Sequence, residues 1–254
     1  ATAFRKETRL TFPRLKALIL DIAMNVAGLV AVLAGIGLVV GGLSYTGVAG
    51  AFSRELLLYA NGNTALMLLA GAVTSFVLGM GMTVTACYIF LSILLAPALV
   101  QAGLNPIASH LFILYWGMLS YITPPVALAA ITAANIAGSK PVETGFRAMR
   151  LGMPLFVLPF IFVYDPALIM EGSFVQIVER VALTLIAIWA ITAAFESWIY
   201  KVGRIGWISR LLFGIGGVLI IFPEWLTSLA GVALLVGVIV VNLMMKRPAA
   251  PANA

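Results

Sequence analysis

Charge is the scarcest property of this sequence. Lys, Arg, Asp and Glu make up 9% of its 254 residues, where a soluble domain carries ~25%. With 63% of residues hydrophobic, that deficit excludes an ordinary soluble domain and leaves an all-α polytopic membrane protein. Cysteine occurs once, as Cys87, so no internal disulfide can form. Histidine occurs once, as His110, which excludes a His-based metal cluster. Phosphate-binding glycine loops, metal-ligand spacings and nucleophile–base pairs are all missing. An intramembrane enzyme would need a polar catalytic set at membrane depth, and the single histidine lies away from the polar breaks described below. The net charge of +6 is not a nucleic-acid signature. The basic residues cluster at the ends of apolar runs, where the positive-inside rule operates.

What is present is a series of apolar runs. Residues 1–14 hold Arg5, Lys6, Arg9 and Arg14 and read as a cytoplasmic basic segment. No small-residue cleavage site follows a short core, so the segment is not a signal peptide. The chain starts at Ala1 without an initiator Met, and the expectation is the C-terminal part of something longer. Residues 15–62 read as a scaffold span and a surface arm, with Asp21 at the interface. Residues 63–100 and 106–138 are two long apolar runs. Residues 139–152, with Lys140, Glu143, Arg147 and Arg150, read as an interfacial arm helix. Two spans over 153–200 and a helical pair over 201–247 follow, and the Ala/Pro-rich 248–254 reads as a disordered tail.

Both long runs are interrupted. The first contains Gly79-Met80-Gly81-Met82-Thr83-Val84-Thr85, and the second Ser120-Tyr121-Ile122-Thr123-Pro124-Pro125. Each interruption lies about fifteen residues from its flanks, or roughly 22 Å of helix, deep in a ~30 Å hydrocarbon core. Unpaired backbone groups cost several kcal/mol each at that depth, so such backbone must be buried in protein or line a cavity. Paired breaks of this kind mark transporter binding sites. If all basic clusters face the cytoplasm, the chain crosses an odd number of times between residues 42 and 140. One run therefore spans, and the other is a re-entrant hairpin. Charge does not choose between them. Glycine's tolerance of reversal and close approach favours residues 63–100 as the hairpin. The Thr-Pro-Pro step favours 106–138 as a discontinuous transmembrane helix.

A break offers carbonyl oxygens at one half-helix end and N–H groups at the next. The first suit Na⁺, and the second suit a carboxylate. Thr83, Thr85, Ser120 and Thr123 add hydroxyl oxygens. No Asp or Glu lies near either break in sequence, which favours a neutral sodium site over a proton relay. Against this, membrane Ser and Thr commonly bond back to their own helix or join helices. His110 reads as a packing or interfacial residue, Cys87 as an inert apolar one, and Asp165-Pro166 as a cap or turn. Tyr115, Trp116 and Tyr121 could line a substrate path, with belt or packing roles the alternative favoured. Asn61 and Asn63 read as caps of the first hairpin helix.

The stretches Leu78–Tyr88, Ala96–Leu99, His110-Leu111-Phe112, Ser120–Ala130 and Pro159–Asp165-Pro166 resemble the large membrane (permease) subunit of TRAP transporters. Within that family they are most similar to the fused-permease branch associated with TAXI-type solute-binding proteins. The likeness is strongest over about 50–170. It implies one inverted-repeat half of an elevator-type transporter in the bacterial inner membrane. It further implies sodium-coupled import of small organic anions such as carboxylates, delivered by a periplasmic binding protein. Na⁺ would be the coupling ion, with no cofactor and no other metal. Carried over, Gly79, Gly81, Thr83 and Thr85 would form the hairpin tip and Ser120, Thr123 and Pro124 the facing break, with sodium between them. Substrate would meet Thr83, Thr85, Thr123 and Pro124. Thr83 stands where the family usually has proline. One repeat is missing, as are the small-subunit helices, so the chain's expected partners are those parts, the binding protein and the bilayer. The rival reading is a non-transporting scaffold or assembly subunit whose breaks are packing kinks.

Overall fold

A computed structural model describes residues 11–245 except 201 and 223. The basic residues ahead of 11 and the tail at 248–254 lie outside the described residues. Among those described, the helices are α1 (Phe12–Tyr45), α2 (Val48–Ala60), α3 (Thr64–Gly79), α4 (Val84–Leu94), α5 (Ala96–Gln101) and α6 (Pro106–Leu119). They continue as α7 (Leu128–Ala137), α8 (Pro141–Leu151), α9 (Met153–Tyr164), α10 (Phe174–Glu196), α11 (Trp207–Ile221) and α12 (Trp225–Met245). A 3-10 turn, Pro166–Ile169, follows α9. The protein is therefore mostly helical, with several helices long and apolar enough to cross a membrane.

Local chemistry sets many of the ends. Asn63 and Asn105 cap α3 and α6 by accepting from Leu66 N and Ala108 N, each at 3.1 Å. Ser173 and Gln176 form a reciprocal capping box at α10. Gly138 closes α7 in a left-handed conformation. Asp165 Oδ1 accepts from Ala167 N at 3.2 Å and opens the 3-10 turn. Asn61 ends α2 in the left-handed region and is not a cap of α3.

Three features depart from the sequence expectations. Pro97, which with Gly103, Asn105 and Pro106 reads from the sequence as a turn, sits instead in the first turn of α5, where its missing N–H is harmless. The all-α expectation meets a two-residue β-ladder, β1 (Trp198–Ile199) against β2 (Gly203–Arg204), too short for any period-two pattern. Finally, α8 and α9 follow each other across Gly152 as a 24-residue stretch, Pro141–Tyr164, apolar enough to span.

Two cores organise the chain. The first unites α2 to α6 and α9 around Met67, Leu91, Leu95, Leu99, Phe112 and Ile113. Phe112 and Trp116 on α6 stack edge-on against Phe160 of α9, at 5.3 and 5.8 Å. The second unites α10, α11, α12 and the β-ladder around Ala187, Ala190, Phe213 and Leu235. Close helix approach there rests on glycine. A Cβ at Gly231 would stand 2.7 Å from Gly216 O. The apolar window of α1 buries nothing within this chain.

Candidate functional site

Helix is absent at 80–83, between α3 and α4, and at 120–127, between α6 and α7. The first gap is shorter than the sequence pattern suggested, because Thr83 caps α4. Its Oγ1 accepts from Ala86 N at 3.3 Å, which draws Val84 and Thr85 into the helix. Neither Gly79 nor Gly81 has a positive φ, so the turn does not use glycine's left-handed freedom. Gly79 matters for close approach instead. A Cβ on it would collide with Gly117 O and come within 3.0 Å of Gly117 C and Cα. Gly117 lies one turn before the second gap, and a Cβ there would meet Cys87 Sγ at 3.2 Å. Backbone thus meets backbone where α3 ends, and the two gaps are joined through this crossing.

The second gap is a closed loop. Ser120 Oγ donates to Gly117 O at 2.9 Å, and Thr123 Oγ1 donates to Leu119 O at 2.8 Å. Ala127 N donates to both Ser120 O and Thr123 O, at 3.2 and 3.1 Å, and Ala129 N to Tyr121 O at 3.0 Å. The Pro124–Pro125 peptide is cis. Ala127, buried, adopts φ 38° and ψ 43°, a left-handed conformation costly for a residue with a Cβ. The loop is held from outside by α8. A Cβ at Gly145 would stand 2.9 Å from Pro124 Cγ and 3.4 Å from Ala127 Cβ.

The expected site residues therefore fall into two groups. Ser120 and Thr123 are buried and Pro124 half-buried, in one loop, whereas Gly81, Thr83 and Thr85, at or beside the first gap, are exposed. Gly79 is buried between them. Among the described residues no hydrogen bond joins Thr83 or Thr85 to Ser120 or Thr123. The back-bonding alternative holds for Ser120 and Thr123, and it does not remove their chemistry. A hydroxyl that donates keeps both lone pairs, and a carbonyl accepting one N–H keeps one. The hydroxyl and carbonyl donors of the second gap are neutral oxygens, the hard ligand type, with the Cys87 thiol behind Gly117 as the one sulfur among the residues named at the crossing.

Sequence reading missed Gly117, Ala127, Gly145 and Ser75. Gly117, three residues before Ser120 in an aromatic-rich run, carried a usable signal, while Ala127 carried none. Ser75 on α3 is fully buried, and its Oγ lacks a partner among the described residues, as does Trp116 Nε1. Cys87 Sγ donates to Ser75 O at 3.7 Å. Cys87 is thus the small wedge behind Gly117. His110 Nδ1 shares a 3.1 Å hydrogen bond with Tyr88 OH, away from both gaps.

Apolar helices of spanning length, with two helix gaps flanking a glycine crossing, define a polytopic membrane protein. The description "Tripartite ATP-independent periplasmic transporter, DctM component" matches residues 2–177, and the chain belongs to that family. The match takes in α1 and both gaps and ends within the first turn of α10. It makes the chain a TRAP transporter permease component, which works with other TRAP subunits and a binding protein. Comparison with curated proteins and with solved structures gave no match.

Proposed function

We propose that this chain is the C-terminal repeat of a sodium-coupled, elevator-type TRAP permease. In this reading it imports small organic anions such as carboxylates across a bacterial inner membrane, its own N-terminus cytoplasmic. Residues 63–100 act as a re-entrant hairpin and 106–138 as a discontinuous transmembrane helix. Sodium is held by neutral oxygens of Ser120 and Thr123 together with the Gly79–Thr85 tip. The substrate carboxylate approaches Thr83, Thr85, Thr123 and Pro124. A TAXI-type binding protein delivers the substrate, and the remaining permease parts complete the site.

The observation that carries this reading is the contact of Gly79 with Gly117. It ties together the two helices, α3 and α6, that lead into the gaps, within a family of transporters. The back-bonds of Ser120 and Thr123 favour the rival, a scaffold whose gaps are kinks. Uptake into proteoliposomes holding the complete permease and its binding protein separates the two. The transporter reading requires accumulation that rises with inward sodium and is weakened in Thr123→Val. Uptake indifferent to sodium ends the coupling assignment.

A further inference from the structure

The part of the chain beyond the family match builds a second feature. Between α10 and α11 runs an apolar groove of about 620 Å³, walled by Ala194, Phe195, Trp207, Gly214 and Val218, with Arg210 at one end. Its volume lies in the ~300–1,000 Å³ range of small-molecule sites, and its walls offer hydrocarbon contacts almost throughout. Gly214 makes the concavity, since a Cβ there would meet only Ala194 Cβ, at 3.9 Å.

The mouth of the groove is basic and aromatic. Arg210 Nε donates to Ala194 O at 2.8 Å, and Arg150 Nε donates to Phe195 O at 3.0 Å. Two arginines from α11 and α8 thus satisfy carbonyls at the α10 C-terminus, where a cation is favoured and the last turn of α10 has no basic residue. Glu196 offsets Arg150 at 3.2 Å. No acid among the described residues pairs with Arg210 or with Arg204, which lies on the adjoining β-ladder. The Nη groups of Arg210 also have no acceptor among the described residues. Trp198 and Trp207 are exposed at the same end, the pattern of a membrane interface.

From this arrangement we infer that the α10–α11 groove binds an anionic phospholipid. One acyl chain lies along Gly214 and Val218, and the phosphate meets Arg210 and Arg204 at the interface. Charge decides the occupant. Uncompensated arginines beside an inter-helix groove select a phosphodiester bearing net negative charge over a zwitterionic lipid, by about five-fold per arginine.

Native mass spectrometry of the full chain in detergent tests this, with phosphatidylglycerol and phosphatidylcholine of identical acyl chains offered in equal amounts. Phosphatidylglycerol should be retained about five-fold or more in excess. Arg204→Gln/Arg210→Gln should bring the ratio to about one. Gly214→Leu, whose Cβ would meet only Ala194 Cβ at 3.9 Å, should remove the retained lipid of both kinds. If that variant loses its helical circular dichroism, Leu211→Trp, at an exposed lining position, fills the same space and takes the same reading. Inorganic phosphate should not displace the lipid. A wild-type ratio near one, a preference that survives the double arginine variant, retention unaffected by filling the groove, or displacement by inorganic phosphate would each overturn the assignment.

Discussion

Thr123 gives its proton to Leu119 O and keeps its oxygen for another partner. Valine has nearly the same shape and lacks that oxygen. If the oxygen faces sodium, Thr123→Val should raise the sodium concentration for half-maximal uptake roughly ten-fold, as loss of a ~1.5 kcal/mol contact to a charged partner requires. Sodium titration of uptake checks this, and an unchanged midpoint favours the kink reading. Ser75 makes the opposite case. Its buried Oγ lacks a partner among the described residues, so Ser75→Ala removes a desolvated group and no bond. Thermal unfolding in detergent should show a midpoint equal to or above the wild type, since an unsatisfied buried hydroxyl costs ~1–3 kcal/mol. A lower midpoint would reveal a partner for that oxygen. Both alternatives for Thr123 were legible in the sequence, whereas Ser75, one small residue in an apolar helix, carried no signal there.

Helix ends were legible in part. Asn63 reads as a cap and caps α3, Asn61 reads as one and ends α2 instead, and the caps at Asn105 and Ser173 came only with the structure. Proline and glycine located both gaps to within a few residues. The physical reason assigned to the first glycines was only half correct, because the turn needs no positive φ and the crossing needs no side chain at Gly79. That yields a paired prediction. Gly79→Ala forces a Cβ into Gly117 backbone and should destabilise the protein by ~1–3 kcal/mol, the usual cost of overpacking. Gly81→Ala meets only Leu78 O, at 4.0 Å, and should stay within ~0.5 kcal/mol of wild type. Chemical unfolding of both variants in the same detergent checks the contrast. Two similar effects would remove the crossing as the distinguishing feature.

At the scale of the molecule, sequence reading failed where partners are distant along the chain. The Asp165–Arg180 ion pair at 2.8 Å, the Asn105–Glu171 hydrogen bond and the arginines on the α10 C-terminus join elements that no periodicity connects. The division into two cores was likewise hidden, although the last helical pair was separable by its own basic flanks. Basic residues at 201–210 predict that the β-ladder faces the cytoplasm. At 23 residues α10 is roughly 34 Å long, enough to cross. A cysteine at Arg204 should therefore react with a membrane-impermeant maleimide only from the cytoplasmic side, and one at Glu171 only from the other. Labelling of both from one side would refute the crossing by α10. Native Cys87 is buried and should contribute little background. The glycine joint also bears on how the two gaps can move. Peptide rests on peptide there, so no rotamer change can widen the space. An incoming solute would have to part α3 from α6 as rigid rods, and loading would register as displacement of whole helices with their side-chain angles unaltered.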